Sequence, residues 1–256
     1  MNWTREQLKL AFSLYCQLPF GRLHKGNPEI IELATLIDRT PSAVAMKLVN
    51  FASLDPAIIE SGRHGLGNAS NLDREIWAEF HGGWESLALQ SAQQLEHLRV
   101  QHNIIQSPAS ILNEDVADYA GETRQAVIAQ RIKQDFFRRT VLSSYHGRCC
   151  MTGVTEQRLL VASHIVPWSA DRENRLNPRN GLCLSAIHDK AFDRGLLTLS
   201  DDYRVMLSKS LLNSGDAFIQ KTFLPLQDQA IELPERFMPD RVFLAQHRAT
   251  QFLDHE

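Results

Sequence analysis

The chain has 256 residues, room for one large domain or two modest ones. Hydrophobic residues make up 43% and charged residues 22%, an ordinary globular composition. No apolar run nears the roughly 18 residues of a membrane span, and a net charge of −3 excludes a uniformly basic surface.

The opening "MNWTREQLKLAF" has no apolar signal core and reads as a helix start, so a cytoplasmic protein is expected. Thr4 with Gln7 predicts a capping box and a helix to about Gln17. After the loop "PFGRLHKG", Asn27 caps a second helix with Pro28 at its first position. Thr40 and Pro41 repeat that arrangement for a third helix. It should end near "SLDP", because the residue before a proline is pushed out of helical geometry. Two helices joined by a tight turn, after a first helix, are similar to a helix-turn-helix. In that reading Ser42, Met46, Lys47 and Asn50 face a DNA groove.

"SGRHGLGNAS" is a Gly-rich loop, and "NLDREIWAEF" resumes as a helix whose Ile76, Trp77 and Phe80 pack back on the first three. A polar helix over 84–106 reads as a connector, and "QSPASILNEDVADYAGET" as the linker. The expected division is a helical recognition domain over 1–90, a connector over 91–120 and a second domain over 121–256. The second domain opens on a helix with arginines 124, 131, 138 and 139 along one face. Residues 131–180 hold nine Lys or Arg and four Asp or Glu, a local excess of +5 that suits a polyanion.

After "HGRCCMTG" comes a strand, "RLLVASHIVPW", then the polar loop "SADRENRLNPRN", the strand "GLCL", and the helix "SAIHDKAFDRG", stopped by Gly195. His164 ends the first strand and Asn180 stands at the loop exit. Asp189 and Asp193 are four apart, hence on one helical face, with His188 adjacent. These types suit metal-assisted phosphodiester hydrolysis. Two carboxylates can share a divalent ion, a neutral imidazole can take a proton from water, and an amide can orient that imidazole. An oxygen-rich set favours Mg²⁺ or Mn²⁺. Cys149, Cys150 and Cys183 lack paired C-x-x-C spacing, which argues against structural zinc. These three are expected as buried small hydrophobes, and with Cys16 as reduced thiols.

On these motifs, Cys150/Thr152/Gly153, "ASHIVPW" over 162–168, "RLNPRNGLCL" over 175–184 and Asp189/Phe192/Asp193/Gly195, the segment 121–205 resembles the HNH endonuclease family. The resemblance implies a β-hairpin and helix clasping one metal, with His164 as general base and Asn180 orienting it. It places the ligands at Asp189 and Asp193, with His188 as competitor. Many members carry Asp or His just before the base; here that residue is Ser163.

The fold class expected is therefore α+β, a helix-turn-helix-like domain followed by a ββα-metal nuclease domain. The function expected is metal-dependent cleavage of double-stranded DNA by a restriction enzyme, one that reads modified bases being included. DNA contacts are expected from Ser42, Lys47, Asn50, Arg138, Arg139, Arg175 and Arg179. One HNH site cuts one strand, so double-strand cleavage calls for a homodimer or two binding events. The alternative is a DNA-binding regulator with a degenerate HNH domain.

Overall fold

The computed structural model describes residues 2–63, 65–104 and 121–254, with backbone only for 121–124. The expected linker, 106–123, lies outside the described residues up to the helix start at Gly121. The chain divides into two compact units, Met1–Arg139 and Thr140–Glu256. That division falls inside the long helix over Gly121–Ser144, which the sequence pattern assigns whole to the second domain.

Unit 1 is helical: α1 (Arg5–Gln17), α2 (Pro28–Leu36), α3 (Pro41–Ala52), α4 (Pro56–Glu60), α5 (Asn71–Phe80), α6 (Trp84–Gln101) and the first part of α7 (Gly121–Ser144). The starts are set by local chemistry. Thr4 and Ser70 close capping boxes with Gln7 and Asp73. Asn27, Thr40 and Asp55 each accept a backbone N–H from the first turn of a helix that opens on proline. The core forms around Phe12. It stacks on Phe80 at 5.2 Å and meets Phe51 and Trp77 edge-on at 5.1 and 5.5 Å.

Unit 2 is built on two small antiparallel sheets. In the first, β1 (Leu160–His164) pairs with β2 (Gly181–Ser185), with His164 opposite Gly181 and Ser163 opposite Leu182. Helix α8 (Ala186–Asp193) follows β2 directly and packs on both strands. The second sheet, β3 (Leu197–Leu199) with β4 (Val205–Leu207), is not anticipated by the sequence pattern. Beyond residue 210 that pattern predicts a strand and a final helix. The described residues there hold the end of α9 (Lys209–Leu212), then α10 (Ala217–Thr222) and α11 (Arg241–Thr250), and the predicted strand is reduced to one isolated bridge, Arg204 to Ala230.

Helix α11 packs on β3 and braces α8. His247, 2% exposed, stacks on Phe192 with centroids 3.8 Å apart. Its Nε2–H donates to the Phe192 carbonyl at 3.2 Å, and its Nδ1 accepts from Thr198 Oγ1 at 2.8 Å. Gly195 ends α8 at φ +66°, and a Cβ there would stand 1.9 Å from the Gln251 carbonyl oxygen. The close approach of α11 to the end of α8 thus requires glycine at 195.

Candidate active site

The hairpin β1–β2 and helix α8 bring together Ser163, His164, Asp189 and Asp193. His164 sits at the last position of β1, half-buried, its ring perpendicular to Trp168 at 5.4 Å. Its Nε2 lies 2.9 Å from the Arg175 carbonyl. A carbonyl only accepts, so Nε2 carries the proton and the lone pair is left on Nδ1. Burial lowers the pKa of the ring, opposed by the Arg175 carbonyl and the Asp189 charge. The net direction favours the neutral imidazole, the form a general base needs.

Asn180 does not touch that ring. Its Oδ1 accepts from the Val166 N–H at 2.8 Å, and its Nδ2 donates to the Val166 and Asn174 carbonyls at 3.2 and 3.3 Å. The backbone adds Ile165 N–H to the Asn180 carbonyl at 2.9 Å. Its buried amide therefore fastens the loop from Val166 to Asn174, and that loop carries the Arg175 carbonyl which grips His164. The expected orienting contact is replaced by one relayed through backbone. Asp171 caps the same loop, accepting from the Glu173 and Asn174 N–H groups at 3.1 Å each.

Asp189 is half-buried and Asp193 more open. Burial raises the pKa of Asp189, against the Ser163 hydroxyl, Lys190 and His164, which favour its charged form. Desolvation and then the Asp189 charge raise Asp193, although much of its side chain meets solvent. The Asp189 charge is the firmer cause there, because the two carboxylates stand one helical turn apart. Ser163 Oγ, in a residue 2% exposed, lies near enough to Asp189 to favour its carboxylate. It nevertheless makes no bond of hydrogen-bond geometry, so it is a buried, unsatisfied hydroxyl.

These donors fit a hard divalent cation. Two carboxylates one helical turn apart, beside an orphaned hydroxyl, offer oxygen only. Among the described residues no three His, Cys, Asp or Glu side chains stand together in metal-binding geometry. A complete shell here would need Ser163, water or phosphate besides Asp189 and Asp193.

His188, the expected competitor, is a core histidine. It is 3% exposed, its Nδ1 pairs with Ser185 Oγ at 2.7 Å, and its ring packs on Phe223 at 5.2 Å. Burial lowers its pKa, with the Thr222 backbone opposing. None of these contacts is a carboxylate of the site. The three cysteines of unit 2 are buried free thiols, and burial pushes Cys150 well above the ordinary thiol range.

The expected DNA contacts fare unevenly. Arg175 is part-buried, its Nε–H donating to the Trp168 carbonyl at 2.7 Å and its guanidinium 5.3 Å from the Trp168 ring centroid. Its Nη groups make no hydrogen bond among the described residues, so the fork is available for a ligand. Arg179 is tied to Asp240 at 3.1 Å and to the Met238 carbonyl. Arg139 is ion-paired with Glu29, and Arg138 is part-buried.

On α3 the reading needs correction. Lys47 is 8% exposed, its ammonium 3.0 and 2.9 Å from the two oxygens of Asp73, which is fully buried. Asn50 is buried too, with Oδ1 unbonded. Only Ser42 and Met46 of that set reach solvent. The apolar period of α3 places Val44, Leu48 and Phe51 inside, but Lys47 follows them because Asp73, on α5, supplies a buried counter-charge. Trp168 and the Arg175 carbonyl are further parts of the site that residue types alone do not reveal, although each lies within a motif that flags it.

Residues 149–200 match the family model for the HNH endonuclease. The matched segment runs from Cys149 through β1, β2 and α8 to Ser200, and so contains the whole cluster described above. The match supports a nuclease of the HNH type, with DNA as substrate, in unit 2. No curated protein matches the chain. Among the described residues no helix is long and apolar enough to cross a membrane.

Proposed function

We propose that the protein is a metal-dependent endonuclease that cuts double-stranded DNA as a restriction enzyme, with unit 2 as nuclease and unit 1 as reader. The observation that carries the nuclease reading is the state of His164. Burial favours its neutral form, the Arg175 carbonyl fixes the proton on Nε2 and leaves the lone pair on Nδ1, and the Asp189 carboxylate is near enough to act on the ring. Asp189 and Asp193, with Ser163 Oγ, would hold Mg²⁺ or Mn²⁺. Bound there, the ion supplies positive charge to the scissile phosphate and the leaving oxygen. His164 Nδ1 takes the proton from water as its oxygen bonds to phosphorus, and the phosphorus–oxygen bond of the backbone breaks on the opposite side. The proton stays on the imidazole until solvent removes it, and the leaving oxygen is protonated from solvent. Asn180 keeps the loop, and through it the Arg175 carbonyl, in place during that transfer. The unbonded Nη fork of Arg175 would bind a phosphate oxygen.

The restriction role rests on a helical unit joined to an HNH unit in one chain. A role in defence against foreign DNA, with modified bases as a trigger, is part of this proposal. Two copies acting on opposite strands make the double-strand break. Plasmid nicking with Mg²⁺ or Mn²⁺ tests it, using unmodified and cytosine-modified DNA. His164→Ala should lower the rate by about 10²- to 10⁴-fold. Undiminished nicking by that variant sinks the assignment of the base. No nicking by the wild type with either metal sinks the nuclease reading.

A further inference from the structure

Helix α8 carries two rows of like charge side by side. Asp189 and Asp193 form the first. Lys190 and Arg194, the residue that caps the helix, form the second, one residue on and so about 100° around the axis. Both cations are exposed, and neither shares the buried face of His188, Ala191 and Phe192. Like charges four apart on a helix repel. Asp193, three residues beyond Lys190, is within helical reach of it, yet neither cation closes an ion pair among the described residues.

The other like-charged rows in the described helices are each answered from a different helix. Arg5 and Lys9 on α1 meet Glu75 and Glu79 on α5, and Glu29 and Glu32 on α2 meet Arg139 and Arg99. On α8 the acid row is answered by the divalent ion of the proposed function. Nothing among the described residues answers the cation row. That sets Lys190 and Arg194 apart from scattered cations that also reach solvent, such as Arg74 and Arg131, which belong to no like-charged row. Against the burial that raises both acids, Lys190 favours the charged form of Asp189 and of Asp193, and Arg194 that of Asp193. The two rows therefore stand close enough to act on each other. With the acids neutralised by a divalent ion, two positive charges remain uncompensated on the solvent side of α8.

We infer that Lys190 and Arg194 hold the DNA phosphates flanking the one that is cut, and so seat the strand across α8. The inference rests on the nuclease reading of unit 2. Ammonium and guanidinium groups donate only, which suits phosphate oxygens. Contacts of this kind fix the register of the strand on the protein without reading its sequence.

The test is plasmid nicking by the full chain with Mg²⁺ or Mn²⁺, with kcat and KM measured at salt from about 50 to 200 mM. Beside it runs binding of a short fluorescent duplex with Ca²⁺, a hard cation for the same oxygen donors. The double variant Lys190→Gln, Arg194→Gln alters exposed side chains only. Its KM should rise about 10- to 100-fold with kcat unchanged. The slope of log(kcat/KM) against log salt should flatten by about 0.9 for each phosphate no longer neutralised, so by about 1 to 2. The swap Lys190→Arg with Arg194→Lys keeps both charges and should keep the wild-type KM and slope. Lys209→Gln with Lys221→Gln, exposed cations of unit 2 off α8, should change neither. An unmoved KM in the Gln double overturns the inference, as does a lower kcat at unmoved KM, or an equal flattening by the Lys209 and Lys221 pair. The helix dipole also favours a cation near the end of α8. A role confined to that would appear as a lower urea midpoint with KM unmoved, and it too overturns the inference. Nicking with an unaltered double removes the cation row and keeps the nuclease. No nicking, with duplex binding whose salt slope is flattened in the double, removes the nuclease and keeps the row as a phosphate contact. No nicking with an unaltered slope, or with no binding, removes both.

Discussion

At the scale of single residues, Asn180 separates two ways of steering a general base. Were its amide bonded to the imidazole, replacing it would disturb catalysis and leave stability alone. Its three side-chain bonds instead all go to loop backbone. Asn180→Ala should therefore leave the buried Val166 N–H and the Val166 carbonyl unpaired, at about 1–3 kcal/mol for such a group, while the Asn174 carbonyl keeps the Asn177 N–H. It should lower the urea midpoint and the nicking rate together. A slower enzyme with an unmoved midpoint would show that the amide acts on the ring directly. The sequence points to Asn180 and His164 because each lies in a short motif. It does not show the route between them, because the carbonyl of Arg175 is backbone and leaves no trace in a residue pattern. Ser163 is the converse case: its identity is plain, but only the fold shows its hydroxyl buried beside Asp189.

At the scale of elements, helix starts are legible in the sequence and helix faces are not. Thr4, Asn27 and Thr40 act on N–H groups two or three residues away, so a local string suffices to find them. Lys47 depends on Asp73, 26 residues on and in a different helix, and its burial is out of reach of a local reading. Lys47→Met should leave the fully buried Asp73 carboxylate without its main counter-charge. Breaking a buried pair in this way costs about 3–5 kcal/mol, readable as a lower unfolding midpoint. The same variant should leave the salt slope of DNA binding where it was, which a groove-facing lysine would not. The hairpin β3–β4 escapes a sequence reading because each strand has three residues, too few for an alternating pattern to stand out. Its value to the site is indirect, through α11 and the end of α8. Gly195→Ala should expose that dependence. It meets both a positive φ and the Gln251 carbonyl oxygen, and should cost more than the roughly 1 kcal/mol of a glycine replaced without a clash. Thermal unfolding checks it; an unchanged midpoint would mean that α11 is not seated on α8.

At the scale of the whole molecule, the two units place different demands on pH. The ion pairs of unit 1 join lysines and arginines to Asp and Glu side chains. Unit 2 instead encloses histidines in neutral form. His247 is the clearest of these, with a pKa lowered to about 4 by burial and by Arg248, against the pull of the Phe192 carbonyl. An unfolded histidine titrates near 6.5. Between those values the unfolded chain binds a proton that the folded chain refuses, so stability falls as pH falls. The contribution is fully present above about pH 6.5 and is lost progressively toward pH 4. It amounts to roughly 3 kcal/mol at 1.36 kcal/mol per pKa unit. Protonation would also place a charge against Phe192, the residue preceding Asp193, so the brace on α8 should loosen as unit 2 weakens. The urea midpoint should thus drop between pH 7 and pH 5 in the wild type, and drop less in His247→Gln, which cannot take up the proton. An equal drop in both proteins would assign the acid sensitivity to other groups and leave His247 as packing alone.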